Sequence, residues 1–278
     1  MIKPYFYEEN FILYHGDSLK ILQQFENNKF DLIFVDPPYF LSNDGITCSS
    51  GKMVSVNKGD WDRSKGFEED IRFIDSWLKE CRRLLKQNGS LWISGTLHII
   101  YKVGYLLEKN NFDIINDIVM YKPNAPPNLS CKYFTHSHEI VLWARKSENS
   151  KHTFNYEKMK IWNNPKDKLK NKDKQMRSVW SIPLLPNGEK KYGKHPTQKP
   201  MELLNRIITS SSNEGDLVID PFAGSCTTGI VCSILNRGFI GIDSNKDYLD
   251  IAIKRFRDRR KKDLLFSPKN ENYFTKFL

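Results

Sequence analysis

Short, almost wholly apolar runs alternate with amphipathic segments along most of this chain, and that alternation constrains the fold more than any other feature. The runs "FDLIFVD" at 30–36 and "GSLWISG" at 89–95 are typical of buried strands. Between them, apolar residues recur at helical spacing, at Ile71, Ile74, Leu78, Cys81 and Leu85. Gly89 follows at a position that favours a helix C-terminal cap. The alternation predicts an α/β fold with a mostly parallel sheet covered by helices, and 278 residues suit one enlarged domain.

The second half of the chain repeats this texture after an interruption. From 146 to 194 the chain is lysine-rich and poorly periodic, which is typical of a solvated loop, although the interleaved Phe154, Tyr156 and Trp162 argue against simple disorder. Order returns in "HPTQKPMELLNRIITSS", where Pro200 suits the first helical position. The block that follows predicts a strand, a turn, a helix, a strand and a helix in succession.

Composition limits the compartment and the partners. No apolar run approaches the ~20 residues of a membrane-spanning helix, and the first ten residues lack the features of a signal peptide, so we predict a cytoplasmic protein without a membrane partner. The five cysteines are widely spaced and form no CxxC pair, which favours reduced thiols and no metal site. The formal net charge of +10 favours a polyanionic partner, because lysine and arginine displace counterions from phosphates.

The stretch "LVIDPFAGSCTT" predicts a strand, a tight turn at Gly224 and a helix that begins near Thr227. Asp243 ends the next strand, 23 residues after Asp220, near the ~20-residue offset at which an acidic side chain meets the ribose of a nucleoside cofactor. The turn lacks the glycine patterns of NAD and ATP sites, so an adenosine cofactor without phosphates fits better, with S-adenosylmethionine the leading candidate. An ordinary glycine-bearing turn is the alternative.

The stretch "DPPY" ends the other apolar strand on a carboxylate, two prolines and an aromatic ring. Pro37 and Pro38 carry no amide hydrogen, which leaves the Asp36 carboxylate and the Pro37 carbonyl as acceptors facing one space. Two acceptors suit the amino group of a base, whose lone pair they would aim at an electrophilic methyl group. Tyr39 could stack on such a base after it is flipped out of a duplex. Taken alone, the four residues could equally be a rigid turn.

Together, "DPPY", "DPFAGSCTTG" and "HPTQKP" resemble the catalytic motif, the S-adenosylmethionine motif and a cofactor-pocket motif of the bacterial amino-DNA methyltransferases. Their order resembles the circularly permuted beta class, over about residues 10–256. The resemblance implies a single Rossmann-like methyltransferase domain with an inserted target-recognition region. The implied divisions are a catalytic half at 1–121, the target-recognition region at 122–194, a cofactor-binding half at 195–260 and a tail at 261–278.

The resemblance also implies roles for individual residues. The catalytic group would be Asp36, Pro37, Pro38 and Tyr39. The residues that bind S-adenosylmethionine would be Asp17, His195, Thr197, Lys199, Pro200, Asp220, Phe222, Gly224, Ser225, Cys226, Thr227 and Asp243. Candidates for DNA contact would be Lys132, His136 and His138. Cys226 stands where the family usually has a glycine, and its side chain is expected to narrow the approach to the cofactor; Asp17 could equally be a helix cap.

Aspartate at the first motif position is typical, in the family, of adenine-N6 enzymes rather than cytosine-N4 enzymes. The segments "FLSNDGIT", "VSVNKGDWD" and "NAPPNLSCKYFTHSHE" resemble most the second methyltransferase of GATC-recognising restriction-modification systems, although GANTC enzymes share much of this framework. The implied partner is duplex DNA, with single-stranded DNA and a homodimer left open and a cognate endonuclease not inferable. The glycine-containing loop at 43–60 is expected to be mobile without DNA and to close over the flipped base.

Other functions stay open at this point. Methylation of RNA or of a protein amide is one, although those enzymes usually carry asparagine at the first motif position. A DNA-binding module with a decayed cofactor pocket is another, with Cys226 as the lesion. An NAD-dependent oxidoreductase is the least favoured, because the dinucleotide glycine pattern is missing.

Overall fold

The computed structural model describes residues 2–42, 46–49, 52–55, 59, 62–129, 131–160, 174–185, 189, 191–193 and 197–266. The strands are β1 (Phe6–Glu8), β2 (Phe11–His15), β3 (Phe30–Val35), β4 (Ile46–Ser49), β5 (Lys52–Ser55), β6 (Leu85–Gly95), β7 (Asp113–Tyr121), β8 (His138–Arg145), β9 (Val179–Ser181), β10 (Leu217–Asp220) and β11 (Gly238–Asp243). The helices are α1 (Ser18–Leu22), α2 (Phe67–Leu84), α3 (Ile100–Lys109), α4 (Tyr156–Lys160), α5 (Met201–Ser211), α6 (Thr227–Ile234) and α7 (Lys246–Phe266). Across these ranges, no helix has the length and apolar character that a membrane span requires.

Nine of the strands form one sheet in the order β1-β2-β11-β10-β3-β6-β8-β7-β9. From β2 to β6 the neighbours pair in parallel, whereas β8 runs antiparallel between β6 and β7. The predicted α/β, Rossmann-like architecture is confirmed. Residues 138–145, which the sequence analysis placed in the target-recognition region, form β8 inside the sheet, where Trp143 stacks on Trp92 of β6 with ring centroids 4.8 Å apart.

Helices cover both faces of the sheet, as the apolar periodicity predicts. On one face, α1, α2 and α3 contribute Leu22, Trp77, Leu78 and Leu106 to a core that includes Ile33 of β3. On the other face, α5, α6 and α7 cover a second cluster built from the alternate side chains of the same strands. A strand with both faces buried is expected to be apolar throughout, which explains the run "FDLIFV".

Two local predictions are wrong. Gly89 does not cap α2, because the helix ends at Leu84 and the chain continues directly into β6. A Cβ at Gly89 would lie 2.9 Å from the Asp31 carbonyl oxygen, so close strand packing requires glycine there. Pro200 is the N-cap residue of α5 rather than its first helical residue.

Candidate active site

The carboxyl ends of the parallel strands bring the predicted site residues to one edge of the sheet. β3 and β10 are neighbours, but the chain leaves β3 towards β6 and leaves β10 towards β11, on opposite sides. Such a reversal opens a crevice in open α/β sheets. A cleft of about 260 Å³ lies there. The predicted residues that line it are Asp17, Asp36, Pro38, Thr197, Lys199, Asp220, Phe222, Gly224, Ser225, Thr227 and Asp243.

Asp36 follows β3 directly and holds three side-chain donors. Its Oδ1 accepts hydrogen bonds from the hydroxyls of Tyr39 and Ser94, both at 2.6 Å. Its Oδ2 accepts one from Lys199 Nζ at 2.7 Å. Three donors, one of them cationic, stabilise a charged carboxylate in the lining of the cleft.

Tyr39 lies beside Asp36 but is not among the residues that line the cleft. Its side chain is 5% exposed and packs in the core, and Lys199 Nζ lies 3.0 Å from its hydroxyl oxygen and 5.2 Å from its ring centroid. Burial, followed by the charge of Asp36, holds the Tyr39 pKa well above its ordinary value, so the hydroxyl stays protonated and donates to Asp36. In this structure Lys199 therefore covers the ring that the sequence predicted to stack on a base.

The turn after the catalytic motif is held by Asp62, which sequence reasoning missed. Asp62 is fully buried, and its Oδ1 accepts the backbone N–H groups of Tyr39 and Phe40 at 2.8 and 2.9 Å. Its Oδ2 accepts the Leu41 N–H and the Ser42 hydroxyl at 3.2 and 2.9 Å. Phe40 adopts φ +58°, in the left-handed region, which needs such support in a residue other than glycine.

Asp220, the first residue of the cofactor turn, accepts hydrogen bonds from within the same segment. Asp220 Oδ1 accepts the Phe222 N–H at 3.1 Å, and Oδ2 accepts the Thr228 hydroxyl at 2.6 Å. Asp220 is 2% exposed, and this burial raises its pKa to about 7. Asp220 therefore shapes the turn that begins α6, as well as contributing to the cleft wall.

Asp243 connects the cofactor turn to the end of β11. Its Oδ2 accepts the Gly224 N–H at 2.8 Å, and its Oδ1 accepts the Asn245 N–H at 2.7 Å. Burial raises the Asp243 pKa above its ordinary value. Asp17 accepts the Lys20 N–H at 2.9 Å as the N-cap of α1, so it is a helix cap that also borders the cleft.

Cys226 does not line the cleft. It is fully buried in the core beneath α6, in the left-handed conformation with φ +55° and ψ +43° that usually favours glycine. Burial raises the pKa of its thiol well above the ordinary value, which keeps the group uncharged. In this geometry the cysteine replaces a glycine at a backbone position, and its side chain lies away from the approach to the cofactor.

The "HPTQKP" segment packs against the cofactor turn through side-chain contacts. Gln198 Oε1 accepts the Ser225 hydroxyl at 3.1 Å, and Gln198 Nε2 donates to the Glu189 carbonyl at 2.9 Å. From the other side, Arg255 of α7 donates to the Ser225 carbonyl oxygen at 2.6 Å. Thr197 lines the cleft, whereas His195 lies outside the described residues.

Two of the candidates for DNA contact, Lys132 and His136, lie on the connection between β7 and β8, and the third, His138, is the first residue of β8. Lys132, His136 and His138 are exposed, and Phe134 among them is 96% exposed. Ile140 of β8 pairs with Gly95, next to Ser94 in β6, so this connection emerges at the same edge of the sheet as Asp36. Half of the predicted mobile loop at 43–60 lies outside the described residues, and the described half consists of the paired strands β4 and β5 and of Gly59.

Several residues at the site were not predicted, and some of them had a sequence signal. Ser94 is a polar residue near the end of an apolar strand, which is where ligands bind in parallel sheets. Asp62, Gln198 and Arg255 carried no such signal, because their partners lie elsewhere in the sequence. Their roles follow only from the three-dimensional contacts.

The chemistry of the cleft fits a cationic nucleoside better than a polyphosphate. Its lining includes the carboxylates of Asp17, Asp36, Asp220 and Asp243, beside the apolar rings of Phe34, Phe73 and Phe222. Carboxylates attract a positively charged sulfonium and accept hydrogen bonds from ribose hydroxyls, but they repel phosphates. The residues present therefore fit S-adenosylmethionine.

Comparisons with known proteins agree with this geometry. Residues 30–254 match the family described as DNA methylase. The chain is 52% identical over 256 residues to type II methyltransferase M2.LlaDCHI of Lactococcus lactis subsp. cremoris and 51% identical over 256 residues to type II methyltransferase M2.DpnII of Streptococcus pneumoniae, with 92% of each chain covered in both cases.

Among solved structures, the M1.HpyAVI-SAM complex is similar with a TM-score of 0.63 and 28% identity, over 88% of this chain and 98% of that chain. The matched residues 30–254 include most of the residues that line the cleft, Asp36 and Asp243 among them. The chain therefore belongs to the DNA methylase family and is a DNA methyltransferase that uses S-adenosylmethionine as its methyl donor.

Proposed function

We propose that this protein methylates adenine at N6 in duplex DNA, at GATC sites, as the modification enzyme of a type II restriction-modification system. The observation that carries the proposal is that Asp36 and Asp243 line one cleft. The acceptor for a base amino group and the predicted ribose ligand therefore face the same space. The type II methyltransferases M2.LlaDCHI and M2.DpnII, at 52% and 51% identity, support the assignment to restriction-modification.

Asp36 and Pro37 would act on the target amino group. The carboxylate accepts one N–H bond and the Pro37 carbonyl accepts the other, which orients the nitrogen lone pair and makes it more available. When bound, the cofactor would supply a methyl group on a positively charged sulfur, whose carbon–sulfur bond would break as the carbon–nitrogen bond forms, so that the sulfur leaves as a neutral thioether. The Asp36 charge would stabilise the positive charge that develops on nitrogen, an effect worth about 10²–10³ in rate for one preorganised group. The methylated nitrogen would then release one proton to solvent.

A base inside a duplex cannot reach this cleft, so the target must leave the stack. Asp36 lines the cleft directly after β3, and only 14% of its side chain is exposed. Base flipping costs a few kcal/mol of unstacking and unpairing, and contacts in the pocket offset part of it. The exposed connection between β7 and β8, with Lys132 and His136, would contact the flanking DNA.

The choice of adenine depends on the first motif residue. Two acceptors can bind the N6 amino group of adenine or the N4 amino group of cytosine, so the geometry alone suits both. Aspartate at position 36 favours adenine by family resemblance. Cytosine-N4 methylation is the second candidate, because the same carboxylate could accept that amino group.

We assign target recognition mainly to the segments at 122–137 and 146–194, on either side of β8. The halves at 1–121 and 195–260 would supply the catalytic and cofactor-binding residues. GATC is proposed from the resemblance of the loop segments. GANTC is the competing site.

The test is transfer of labelled methyl from S-adenosylmethionine to unmethylated DNA, followed by digestion and identification of the labelled nucleoside. We expect N6-methyladenine from duplexes with one GATC site and no label from duplexes with one GANTC site. Label in N4-methylcytosine would overturn the base assignment, and label in the GANTC duplex alone would overturn the site assignment. Failure of the protein to transfer any label while it still binds DNA would favour a binding module.

A further inference from the structure

We infer that Glu139 is a positioning residue that accepts the Lys199 ammonium when the target amino group takes its place on Asp36. The inference rests on the proposed function, because it concerns how the amino group reaches Asp36. It assigns Glu139 and Lys122 a part in the reaction that family resemblance does not give them.

Lys199 occupies the space that the proposed substrate requires. Its ammonium donates to Asp36 Oδ2 at 2.7 Å and lies 5.2 Å from the Tyr39 ring centroid. A flipped base needs the same carboxylate for its amino group and the same ring for stacking. The base can therefore bind productively only if the ammonium moves.

A second carboxylate lies on the other side of the ammonium. Glu139 Oε2 is 3.7 Å from Lys199 Nζ, and both side chains are largely buried, with 11% and 8% of their surface exposed. A buried ammonium that leaves one carboxylate needs another close by, because an unpaired buried charge is strongly unfavourable. Glu139 supplies that second position with a movement of about 1 Å, the difference between 3.7 Å and a normal charged hydrogen bond.

Glu139 is itself held in place from the strand beside it. It lies near the start of β8 and pairs with Met120 of β7, and its Oε1 accepts a hydrogen bond from Lys122, just beyond the end of β7. The charges therefore alternate from Lys122 through Glu139 and Lys199 to Asp36. Lys122 and Glu139 flank the exposed connection that carries Lys132 and His136, which links that connection to the catalytic carboxylate.

Electrostatics support two alternative partners for the ammonium. Burial acts to lower the Lys199 pKa, but the nearby charges, Asp36 foremost, outweigh it and hold the pKa well above its ordinary value. The side chain is thus cationic beside Asp36, and the charge of Glu139 acts in the same direction on its pKa. A neutral lysine could be displaced without a second carboxylate, whereas a cationic one cannot.

The test compares affinities for two duplexes with one GATC site, one with adenine and one with purine, which lacks the amino group, at the target position. We expect Glu139→Gln to weaken binding of the adenine duplex about tenfold relative to the purine duplex, because the ammonium loses its second carboxylate. The single-turnover transfer rate should fall by a similar factor, while cofactor affinity stays unchanged. Glu139→Asp, which keeps the charge, should recover most of both losses.

Asp113→Asn is the matched control, because Asp113 pairs with Arg145 across the same two strands at their opposite end, 2.5 Å apart. It should leave both the affinity ratio between the two duplexes and the single-turnover transfer rate at the wild-type value. Equal effects of Asp113→Asn and Glu139→Gln, or a wild-type duplex ratio in Glu139→Gln, would overturn the inference.

A double-variant cycle isolates the route through Lys199. In a Lys199→Met background, Glu139→Gln should change the duplex ratio by less than about twofold, since no ammonium remains to be moved. A full additional tenfold loss would show that Glu139 acts independently and would overturn the inference. Absence of methyl transfer by the wild-type protein would instead contradict the proposed function, and melting temperatures of all variants identify any that fail to fold. If Glu139→Gln fails to fold, Lys122→Gln replaces it in the test. Glu139 would then lose its bond to Lys122 and attract Lys199 more strongly, so we expect tighter binding of the adenine duplex relative to the purine duplex. Weaker relative binding would overturn the inference.

Discussion

Two Asp-Pro turns follow neighbouring parallel strands in this protein, and they hold their carboxylates in different ways. Asp36, after β3, is held by the side chains of Tyr39, Ser94 and Lys199, two of which lie far away in the sequence. Asp220, at the end of β10, is held by the Phe222 amide and by a hydroxyl in the following helix. The same dipeptide thus supports two functions.

The difference in hydrogen-bond partners indicates a role in the reaction for Asp36 and a structural role for Asp220. A carboxylate held by side chains from other parts of the chain, at a cleft, can exchange one donor for a substrate amino group. A carboxylate held by its own turn fixes the backbone, and exchange would disrupt that turn. We therefore expect changes at Asp36 to act on transfer and changes at Asp220 to act on stability and cofactor affinity.

The largest effect is expected from Asp36→Ala, which should lower the single-turnover rate by roughly 10²–10³-fold because the amino group loses its charged acceptor. Cofactor affinity should stay within about threefold of wild type, since the cofactor turn is built elsewhere. Rapid-quench transfer assays and calorimetry measure the two quantities. Near wild-type turnover would remove Asp36 from the mechanism and erase the contrast between the turns.

The second effect concerns how the two turns are supported. Asp62→Asn replaces a fully buried acceptor with an amide that cannot satisfy the same backbone N–H groups, so we expect a loss of about 2–4 kcal/mol in the free energy of unfolding. Urea unfolding would measure it, with exposed Asp117→Asn as the control for a lost charge. A change below about 0.5 kcal/mol would show that the catalytic turn holds its shape without Asp62.

The contrast between the two turns also explains which parts of the site could be predicted from the sequence. The cofactor turn was predicted from one continuous stretch, because strand, glycine turn, helix and the contacts of Asp220 are local. The catalytic turn was only half predicted. Its motif was visible, but Asp62, Ser94 and Glu139 reach it through sheet pairing and loop packing, which leave no periodic signal. Gly89 was misinterpreted for a related reason, since strand packing rather than helix capping requires it.

The Tyr39 prediction shows the same limit. An aromatic residue after two prolines suggests a stacking platform, yet the ring is 5% exposed and covered by Lys199. Lys199 follows Tyr39 by 160 residues, so the competition between ammonium and base for one ring was not accessible to motif reasoning.

A third prediction uses the raised pKa of Asp220. Its value of about 7 in the folded protein exceeds the ordinary value of 3.8, so the native state binds a proton that the unfolded state releases between these values. This contribution to stability is complete below about pH 4 and is lost as the pH rises through 7. The free energy of unfolding of the wild type minus that of Asp220→Asn, measured by urea unfolding, should therefore be about 2 kcal/mol larger at pH 5 than at pH 8. An equal difference at both pH values would contradict the raised pKa of Asp220.

The smallest effect is expected from Asp243→Ala, which tests whether the side chain that supports the cofactor turn also contributes to cofactor affinity. Asp243 borders the cleft and holds the Gly224 amide at 2.8 Å, so its loss removes both a predicted ribose acceptor and a restraint on the turn. We expect the dissociation constant for S-adenosylmethionine to rise about tenfold, equivalent to about 1.4 kcal/mol. Exposed Asp247→Ala, in the first turn of α7, is the control for the lost charge and should change it by less than twofold. An unchanged constant in Asp243→Ala would remove this residue from the site. A tenfold rise in the dissociation constant, together with an unaltered transfer rate at saturating cofactor, would show that Asp243 acts in cofactor binding alone. The turn after β10 would then serve binding, and the turn after β3 would serve the reaction.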